Sequence, residues 1–362
     1  MNKKRHIRIF AFGGNEVSPV GLTDEKGKAI IPDIAMQWKR TSETCKHIAR
    51  IIKQYPDDIY VITHGNGPQV GNVFLRSEYS RPILPPIPLD VCGSDTQGSM
   101  GYMIGQILGN ELKTQGINKT VVGIVTQVVV GKDDPGFQNP TKYIGPSYTK
   151  EEAEKRMKED GWIMKLYKKD DKGNEIWRKV VPSPEPLDIV EIEAVEAAIE
   201  KGFIPITVGG GGIPVIEVDP DKEGKFNCNY GITFKNGKGT KIYSGVEAVI
   251  DKDLATSLLG RMLIKRAKER GEDIDVTFTI FTGEDGAKLN YQKPNQVDLR
   301  RLTLEEAKKY HSEGHFPPGS MGPKISAIIK FLEGGGKIAY ISLTEKYLET
   351  LQGKAGTTIV RE

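Results

Sequence analysis

Three lysines lie in turns marked by glycine or aspartate: Lys142 in NPTKYIGP, Lys252 in VIDKDLA and Lys324 in PGSMGPK. A fold does not need three cations in its connecting loops, so they indicate a site for a strongly negative ligand such as a nucleoside triphosphate. Phosphoryl transfer is the chemistry that such a set could serve, because it depends on neutralising charge around the migrating group. We therefore predict that the three ammonium groups meet at one site.

Glycine-rich turns supply backbone N–H groups that could bind phosphate oxygens. The candidates are Gly13, Gly14 and Asn15; Gly65, Asn66 and Gly67; and Gly210 and Gly211. Any one of them alone is more often a plain tight turn than a ligand site. Each set follows a short apolar run, however, so all three fall at one edge of the predicted sheet. Together they predict a phosphate-binding edge.

Two helix starts carry charged groups beside the predicted site. Asp251, Lys252 and Asp253 precede the apolar run LATSLLG, and a carboxylate there could orient a neighbouring ammonium. A solvated helix cap explains the same pattern equally well. The segment PGSMGPK precedes SAIIKFL, which would place Ser320, free N–H groups and Lys324 at the positive end of a helix.

Short β-branched or aliphatic runs alternate with helical patterns along the chain. One such pattern joins Trp38, Thr41, Cys45, Ile48 and Ile52 on a single stripe. Alternation of this kind predicts a mostly parallel sheet that is covered on both faces. The predicted strands are residues 7–12, 59–63, 120–130, 203–208, 246–250, 276–282 and 337–342. In such sheets, ligands bind beyond the carboxyl ends of the strands.

Two segments interrupt this alternation. Residues 132–182 are polar, aromatic and charged, and KKDDKGNE within them is typical of a hairpin tip. Lys142 lies on this excursion, which could therefore act as a lid. Residues 217–244 form a second excursion, which we predict to be a hairpin with GKGT at its tip.

Composition excludes several classes of protein. The chain has 362 residues and a formal net charge of +3, too small and too evenly spread to predict nucleic-acid binding. Its three cysteines are widely spaced, which predicts neither a zinc site nor a disulfide framework. No apolar run approaches the length that spans a membrane, and we expect a cytoplasmic protein. The chain also lacks the phosphate-binding GxxxxGK[ST] motif and the dinucleotide-binding GxGxxG motif.

The motifs together resemble carbamate kinase, of the amino-acid kinase superfamily. In order, they are GGN, THGNGPQVG, DVCGxxxQGxxGY, DPGFQNPTKYIGP, WRKVVPSPEP, GGGGIPV, GVEAVIDKDLA, KPNQ, PGSMGPK and GTTIV. They cover nearly the whole chain. Most of the superfamily has a phosphate-binding lysine just before the first glycine pair, where this chain has Phe10, Ala11 and Phe12. Carbamate kinases supply that charge from the excursion, and Lys142 matches their lysine.

The resemblance implies an open three-layer αβα sandwich with a mostly parallel central sheet and a small protruding subdomain, commonly assembled as a homodimer. It implies reversible transfer between MgATP and carbamate, giving ADP and carbamoyl phosphate. Many relatives run toward ATP in fermentative nitrogen breakdown, including that of arginine. The implied organisation has four parts: an acceptor lobe (residues 1–131 and 183–216), a lid (132–182), a hairpin insertion (217–244) and a nucleotide-binding lobe (245–362).

The resemblance also assigns roles to individual residues. Lys142 and Lys252 would contact the transferring phosphoryl group, Lys324 the nucleotide phosphates, and Asp253 would orient lysine. The glycine turns named above would hold carbamate. The nucleotide-binding residues would be Asp251, Lys252, Asp253, Phe281, Thr282, Gly319, Ser320, Met321, Gly322 and Lys324. Mg²⁺ would lie on the phosphates with few direct protein ligands.

The chain departs from the family pattern just after GGN. Glu16 stands where the family has small or apolar residues, and a carboxylate there would repel carbamate unless it points away or pairs with a basic group. One alternative is therefore a kinase of the same fold for another small carbamoyl, amide or amine acceptor. A second alternative is a non-catalytic nucleotide-binding sensor. Neither nucleic acid nor membrane is an expected partner.

Overall fold

An eight-stranded sheet forms the centre of the computed structural model, which describes residues 5–19, 21–25, 30–170, 172–235 and 239–362. The described strands are β1 (Arg5–Phe12), β2 (Ile59–His64), β3 (Val121–Gly123), β4 (Gln127–Val130), β5 (Lys142–Tyr148), β6 (Met164–Lys169), β7 (Glu175–Val181), β8 (Pro186–Ile189), β9 (Ile204–Ile206), β10 (Ile213–Glu217), β11 (Lys225–Asn227), β12 (Thr233–Lys235), β13 (Tyr243–Gly245), β14 (Ile274–Phe281), β15 (Lys288–Leu289), β16 (Val297–Asp298), β17 (Arg301–Thr303), β18 (Ile338–Ser342) and β19 (Thr357–Val360).

The described α-helices are α1 (Gly14–Val17), α2 (Ile34–Gln54), α3 (Gly67–Ser80), α4 (Leu89–Thr114), α5 (Pro135–Gln138), α6 (Lys150–Asp160), α7 (Ile192–Glu200), α8 (Lys252–Glu269), α9 (Leu304–Ser312), α10 (Met321–Glu333) and α11 (Tyr347–Leu351). Single 3₁₀ turns occupy Gly209–Gly211, Asn229–Gly231 and Thr344–Lys346. Within the described ranges, no helix is both long and apolar enough to cross a membrane.

The strands of the large sheet follow the order β17-β19-β18-β14-β1-β2-β9-β3. All neighbouring pairs in this sheet are parallel except β18 and β19. The prediction of a mostly parallel sheet is therefore confirmed. Parallel strands whose ends lie at one edge bring their following turns together, which is the arrangement that the glycine turns require.

Alternate residues of β1 bury their side chains on opposite faces of this sheet. Ile7 and Ile9 belong to one buried cluster, whereas Phe10 and Phe12 belong to another. A strand in the middle of a parallel sheet must be apolar on both faces, because helices cover both. This explains why the run is almost continuously apolar rather than alternating with polar residues.

Helices close both faces of the sheet. On the side of Ile7 and Ile9, α8 and α10 contribute buried aliphatic residues such as Leu259 and Ile328. On the opposite side, α2 and α4 contribute Ile48 and Ile104. The apolar stripe predicted on α2 is the face that it buries. The resulting αβα arrangement confirms the three-layer sandwich.

Smaller sheets flank the central one. β13, β10, β4 and β8 form a four-stranded sheet, and β5, β7 and β6 form an antiparallel sheet within the first excursion. The latter packs on α3 through a buried cluster in which Ile144 and Val181 meet Phe74. KKDDKGNE lies at the turn between β6 and β7, apart from Asp171, which is outside the described residues.

Three of the predicted elements are wrong. Residues 246–250 form no strand, because their backbone makes isolated hydrogen bonds to different segments instead of a continuous ladder. The Val246 N–H donates to the Pro214 carbonyl, and the Val249 N–H donates to the Pro182 carbonyl. The run 120–130 divides into β3 and β4, in different sheets, because the Gln97 side chain bonds both backbone groups of Thr126. The hairpin in the second excursion turns through Asn229–Gly231 rather than GKGT, part of which lies outside the described residues.

Candidate active site

The carboxyl ends of four parallel strands meet at one edge of the large sheet. β1 ends at Phe12 and β2 at His64, which pair in register, while β14 ends at Phe281 beside Phe12. β9 runs toward the turn Gly209–Gly211. The Gly65 N–H donates to the Phe12 carbonyl over 3.0 Å, which ties the first two turns together. The predicted glycine turns therefore line one crevice.

Close packing constrains two glycines in this crevice. A Cβ atom on Gly65 would lie 3.1 Å from Cδ of Lys252, so the lysine stem passes directly over the turn after β2. Gly211 has a φ of +97°, and a Cβ atom there would lie 2.3 Å from the Ile250 carbonyl oxygen. The first contact joins the turn after β2 to the start of α8, and the second joins the turn after β9 to the segment that leads into α8.

Asn66 and His64 hold the turn after β2 in place. The Asn66 amide donates to Thr96 Oγ1 of α4 over 2.9 Å. His64 is buried, and its Nδ1 lies 3.1 Å from the Gly65 carbonyl oxygen. Burial lowers the pKa of His64 to about 4, so the imidazole is neutral near pH 7. Our sequence interpretation missed His64, although it stands inside the THGNGPQVG motif.

An aspartate at the start of α8 joins two of the three lysines. The Asp253 carboxylate, which is 3% exposed, accepts from the ammonium of Lys252 and lies 3.2 Å from Lys324 Nζ. Asp251 caps α8 by accepting from the N–H of Asp253 over 2.9 Å and that of Leu254 over 3.3 Å. The cap fixes the first turn of α8. That turn carries Asp253, whose carboxylate holds the ammonium groups of both lysines.

The charged groups in this cluster shift one another's pKa values. Burial alone would raise the pKa of Asp253, but Lys252 and Lys324 outweigh it and hold that pKa below its ordinary value. For Lys252, burial lowers the pKa, and the positive charge of Lys324 lowers it further. The negative charge of Asp253 raises that pKa and partly offsets both effects. Asp253 thus keeps two neighbouring cations compatible with each other in a largely dry site.

Lys142 reaches the same region from the protruding sheet. It begins β5, its side chain is 45% exposed, and its Nζ lies 3.7 Å from Oδ2 of Asp251. The three lysines that the sequence singled out therefore surround the start of α8. Since Lys142 is the most exposed of them, it is also the one most free to turn toward a ligand.

A buried lysine anchors the sheet that carries Lys142. Lys179 of β7 is 2% exposed, and its Nζ lies 3.3 Å from Oε2 of Glu247. Its ammonium also lies 5.0 Å from the ring centre of Phe74 and 4.6 Å from that of Trp162. These contacts hold the base of the protruding sheet against the segment that leads into α8.

The remaining predicted nucleotide residues lie at the ends of β14 and α10. Gly319 and Ser320 precede α10, and Met321 and Gly322 open it. The Thr282 N–H donates to the Ser342 carbonyl over 3.1 Å. Phe281 differs from the other candidates because its side chain is fully buried in the aromatic core beside Phe10, and only its backbone borders the crevice.

Two side chains hold the GGN turn: Arg40, which our sequence interpretation did not identify, and Glu16, which it singled out as a departure from the family pattern. The Arg40 guanidinium on α2 donates through Nε to the Asn15 carbonyl over 2.6 Å. Glu16 is 1% exposed, and its carboxylate accepts from Thr44 and Thr344 instead of facing the crevice. No local signal in the sequence relates Glu16 to Thr344, which lies far along the chain.

The chain is similar to carbamate kinases over nearly its whole length, although no protein-family model matches it. A carbamate kinase of Thermococcus kodakarensis is 44% identical over 356 residues, 98% of this chain and 99% of that protein. One of Clostridium perfringens is 39% identical, covering 98% of this chain and 99% of that protein. The solved carbamate kinase of Giardia lamblia bound to AMP-PNP matches with a TM-score of 0.80, 34% identity and 100% coverage of both chains.

Proposed function

Because this chain belongs to the carbamate kinase family, we propose that it catalyses reversible phosphoryl transfer between ATP and carbamate, giving ADP and carbamoyl phosphate. The observation that carries the proposal is the gathering of Lys142, Lys252 and Lys324 around the first turn of α8. Three cations at the mouth of a crevice suit a ligand with several phosphate charges.

The acceptor needs little chemical activation. A carbamate oxygen is already an anionic nucleophile, so it can attack the γ-phosphorus as the bond to the ADP oxygen breaks, and no general base is required. In the reverse direction, a β-phosphate oxygen of ADP attacks the phosphorus of carbamoyl phosphate and carbamate leaves. Rate enhancement then depends on alignment and on charge neutralisation.

Each lysine has a separate part in this mechanism. Lys142 and Lys252 stabilise the charge on the transferring phosphoryl group, and Asp253 orients Lys252 and keeps it charged. Lys324 binds the nucleotide phosphates together with the N–H groups at the start of α10. Carbamate lies at the GGN turn, with the turns of residues 65–67 and 210–211 closing the acceptor side.

Magnesium enters with the nucleotide rather than as a resident ion of the protein. Among the described residues, no group of three or more His, Cys, Asp or Glu side chains could hold a metal. Asp253 contacts two ammonium groups, and Asp251 caps a helix, so neither is an uncommitted ligand. These residues fit Mg²⁺ bound mainly through phosphates and water. When bound, the ion would neutralise phosphate charge.

The larger organisation follows from the same proposal. Residues 132–182 act as a lid that brings Lys142 over the phosphates, residues 245–362 bind the nucleotide, and residues 1–131 with 183–216 bind the acceptor. Residues 217–244 form the hairpin insertion. We further propose a homodimer that works in the ATP-forming direction in the breakdown of arginine or related nitrogen compounds.

The surroundings of Glu16 favour carbamate over a cationic acceptor. The carboxylate of Glu16 is buried and is occupied by Thr44 and Thr344, with Arg40 Nη2 at 3.9 Å. A cationic or amide acceptor would need that carboxylate to face the crevice. Carbamate, by contrast, needs the negative charge to be turned away.

A coupled assay tests the proposal directly. Purified protein would be mixed with ADP, Mg²⁺ and carbamoyl phosphate. ATP formation would be followed with hexokinase, glucose and glucose-6-phosphate dehydrogenase. Acetyl phosphate in place of carbamoyl phosphate is the matched substrate control. We expect rapid ATP formation with carbamoyl phosphate but not with acetyl phosphate. A protein that binds ADP but makes no ATP from carbamoyl phosphate would contradict the proposed function.

A further inference from the structure

Glu16 is an unusual choice of residue for its position. It lies on α1, directly after the turn that we propose binds the acceptor, and it is buried. An apolar residue would fill the same space without the cost of taking a carboxylate out of water. Burial raises the pKa of Glu16, and hydrogen bonds from Thr344 and Thr44 and the charge of Arg40 oppose that rise.

The contacts of Glu16 join two elements that are far apart in the chain. Its Oε2 accepts from Thr344 Oγ1 at 2.5 Å and from Thr44 Oγ1 at 3.2 Å, and its backbone carbonyl accepts from Thr44 Oγ1 at 2.8 Å. Thr44 belongs to α2, on the acceptor side. Thr344 belongs to the turn after β18, within the half of the chain proposed to bind nucleotide.

Arg40 connects the same cluster to the acceptor turn. Its Nε donates to the Asn15 carbonyl over 2.6 Å, while its Nη2 lies 3.9 Å from Glu16 Oε2. Its Nη1 also lies 3.3 Å from Glu43, an exposed residue on the same helix. One guanidinium therefore fixes the backbone of the turn and faces the carboxylate behind it.

The tie to Thr344 reaches the nucleotide side by a short route. Thr344 lies two residues after Ser342, and the Ser342 carbonyl accepts from the N–H of Thr282, which follows β14. The Asn15 amide packs closely against the backbone at Gly283, one residue further on. Two contacts, one through Asn15 and one through Glu16, thus join the acceptor turn to the turns that follow β14 and β18.

We propose that Glu16 and Arg40 are positioning residues that lock the GGN turn to α2 and to the Thr344 turn, and so set the acceptor site relative to the nucleotide site. The inference rests on the proposed function. Glu16 touches no substrate in this scheme, and it acts by holding the amides of Gly14 and Asn15 in place. Because Glu16 directly follows the acceptor turn and Arg40 bonds to the Asn15 carbonyl, whereas the nucleotide side is reached only through Thr344, loss of these contacts should weaken acceptor binding more than nucleotide binding.

The kinetic test uses Glu16→Ala and the milder Thr344→Val, which removes a hydroxyl while keeping the volume. We expect KM for carbamoyl phosphate to rise about tenfold in each, since a hydrogen bond to a charged group is lost, while KM for ADP stays within about twofold. Glu16→Gln, which retains an acceptor oxygen, should recover part of the loss. Glu43→Gln is the matched control, because Glu43 contacts Arg40 but not the turn, and its kinetics should be unchanged.

Hydrogen exchange provides a reading that does not depend on turnover. The amides of residues 13–18 should exchange faster in Thr344→Val and Glu16→Ala than in the wild type, whereas those of β2 should not change. If Glu16→Ala fails to fold, Thr344→Val decides. Unchanged exchange and unchanged KM for carbamoyl phosphate in Thr344→Val would overturn the proposal, as would equal rises in both KM values. If the wild type is inactive but the variants still show faster hydrogen exchange, the proposed function is refuted and the positioning role of Glu16 still holds.

Discussion

Replacing Lys142 by methionine separates catalysis from stability. The side chain is 45% exposed and its Nζ lies 3.7 Å from Asp251 Oδ2, so the ion pair is partly solvated. Pairs of this kind contribute about 0–1 kcal/mol to folding after screening. Methionine keeps the aliphatic stem, and we therefore expect the free energy of unfolding to change by less than about 1 kcal/mol.

The effect on turnover should be far larger. In the proposed mechanism, Lys142 stabilises charge on the phosphoryl group in the transition state. Removal of one preorganised donor at such a position costs about 10²–10³ in kcat, equivalent to about 3–4 kcal/mol. The expected loss of transition-state stabilisation thus exceeds the expected loss of folding stability several times over.

The assay is ATP formation from ADP, Mg²⁺ and carbamoyl phosphate, run beside a thermal melt of each variant. Lys168→Met is the matched control, because Lys168 is an exposed lysine on strand β6 of the same protruding sheet. It should retain full activity. A kcat of Lys142→Met within about threefold of the wild type, or a loss of activity caused only by unfolding, would rule out this role for Lys142.

Three other changes have defined outcomes. Asp253→Asn leaves two partly buried ammonium groups without their buried anion, so stability should fall by about 1–3 kcal/mol in denaturant unfolding, and an unchanged midpoint would contradict the position of Asp253 between the two lysines. The folded-state pKa of His64, about 4, lies below the 6.5 of the unfolded chain, so the unfolded state binds the proton between these values. The contribution of His64 to stability should therefore be fully present above pH 6.5 and should fall by roughly 3 kcal/mol as the pH falls to 4. His64→Gln should lack that part of the acid-induced loss. Equal curves of stability against pH for the two proteins would refute the buried, neutral state of His64. Gly211→Ala would place a Cβ atom 2.3 Å from the Ile250 carbonyl oxygen and force a strained φ, so kcat should fall about tenfold or more, whereas full activity would show that the turn can shift freely.

Much of the fold could be predicted because its signals are local. The short apolar runs that became β1, β2, β14 and β18 are flanked by turns, and burial on both faces makes them continuously apolar. The errors arose where apolar residues are buried without a strand. Ile250 is buried in the core from an irregular segment, so its side chain carries the same hydrophobic signal as a strand residue.

The candidate site was predictable in its residue types but not in its packing. Lysines in glycine-marked turns identified Lys142, Lys252 and Lys324, and the rule that ligands bind at strand ends indicated where they would lie. The surroundings of Glu16 could not be inferred, because its partner Thr344 is separated from it by nearly the whole chain. The burial of the Phe281 side chain was also beyond reach, since only the fold determines which face of β14 it occupies.

In the proposed mechanism, ammonium groups from three separate segments act on one migrating phosphoryl group. A crystal structure with ADP, Mg²⁺, carbamate and aluminium fluoride, a mimic of that group, would test it most directly. We expect Lys142 Nζ and Lys252 Nζ to donate hydrogen bonds to the fluoride ligands, and Lys324 Nζ to contact the ADP phosphates. A complex in which Lys142 still faces Asp251 or solvent, with the fluoride bound elsewhere, would contradict it.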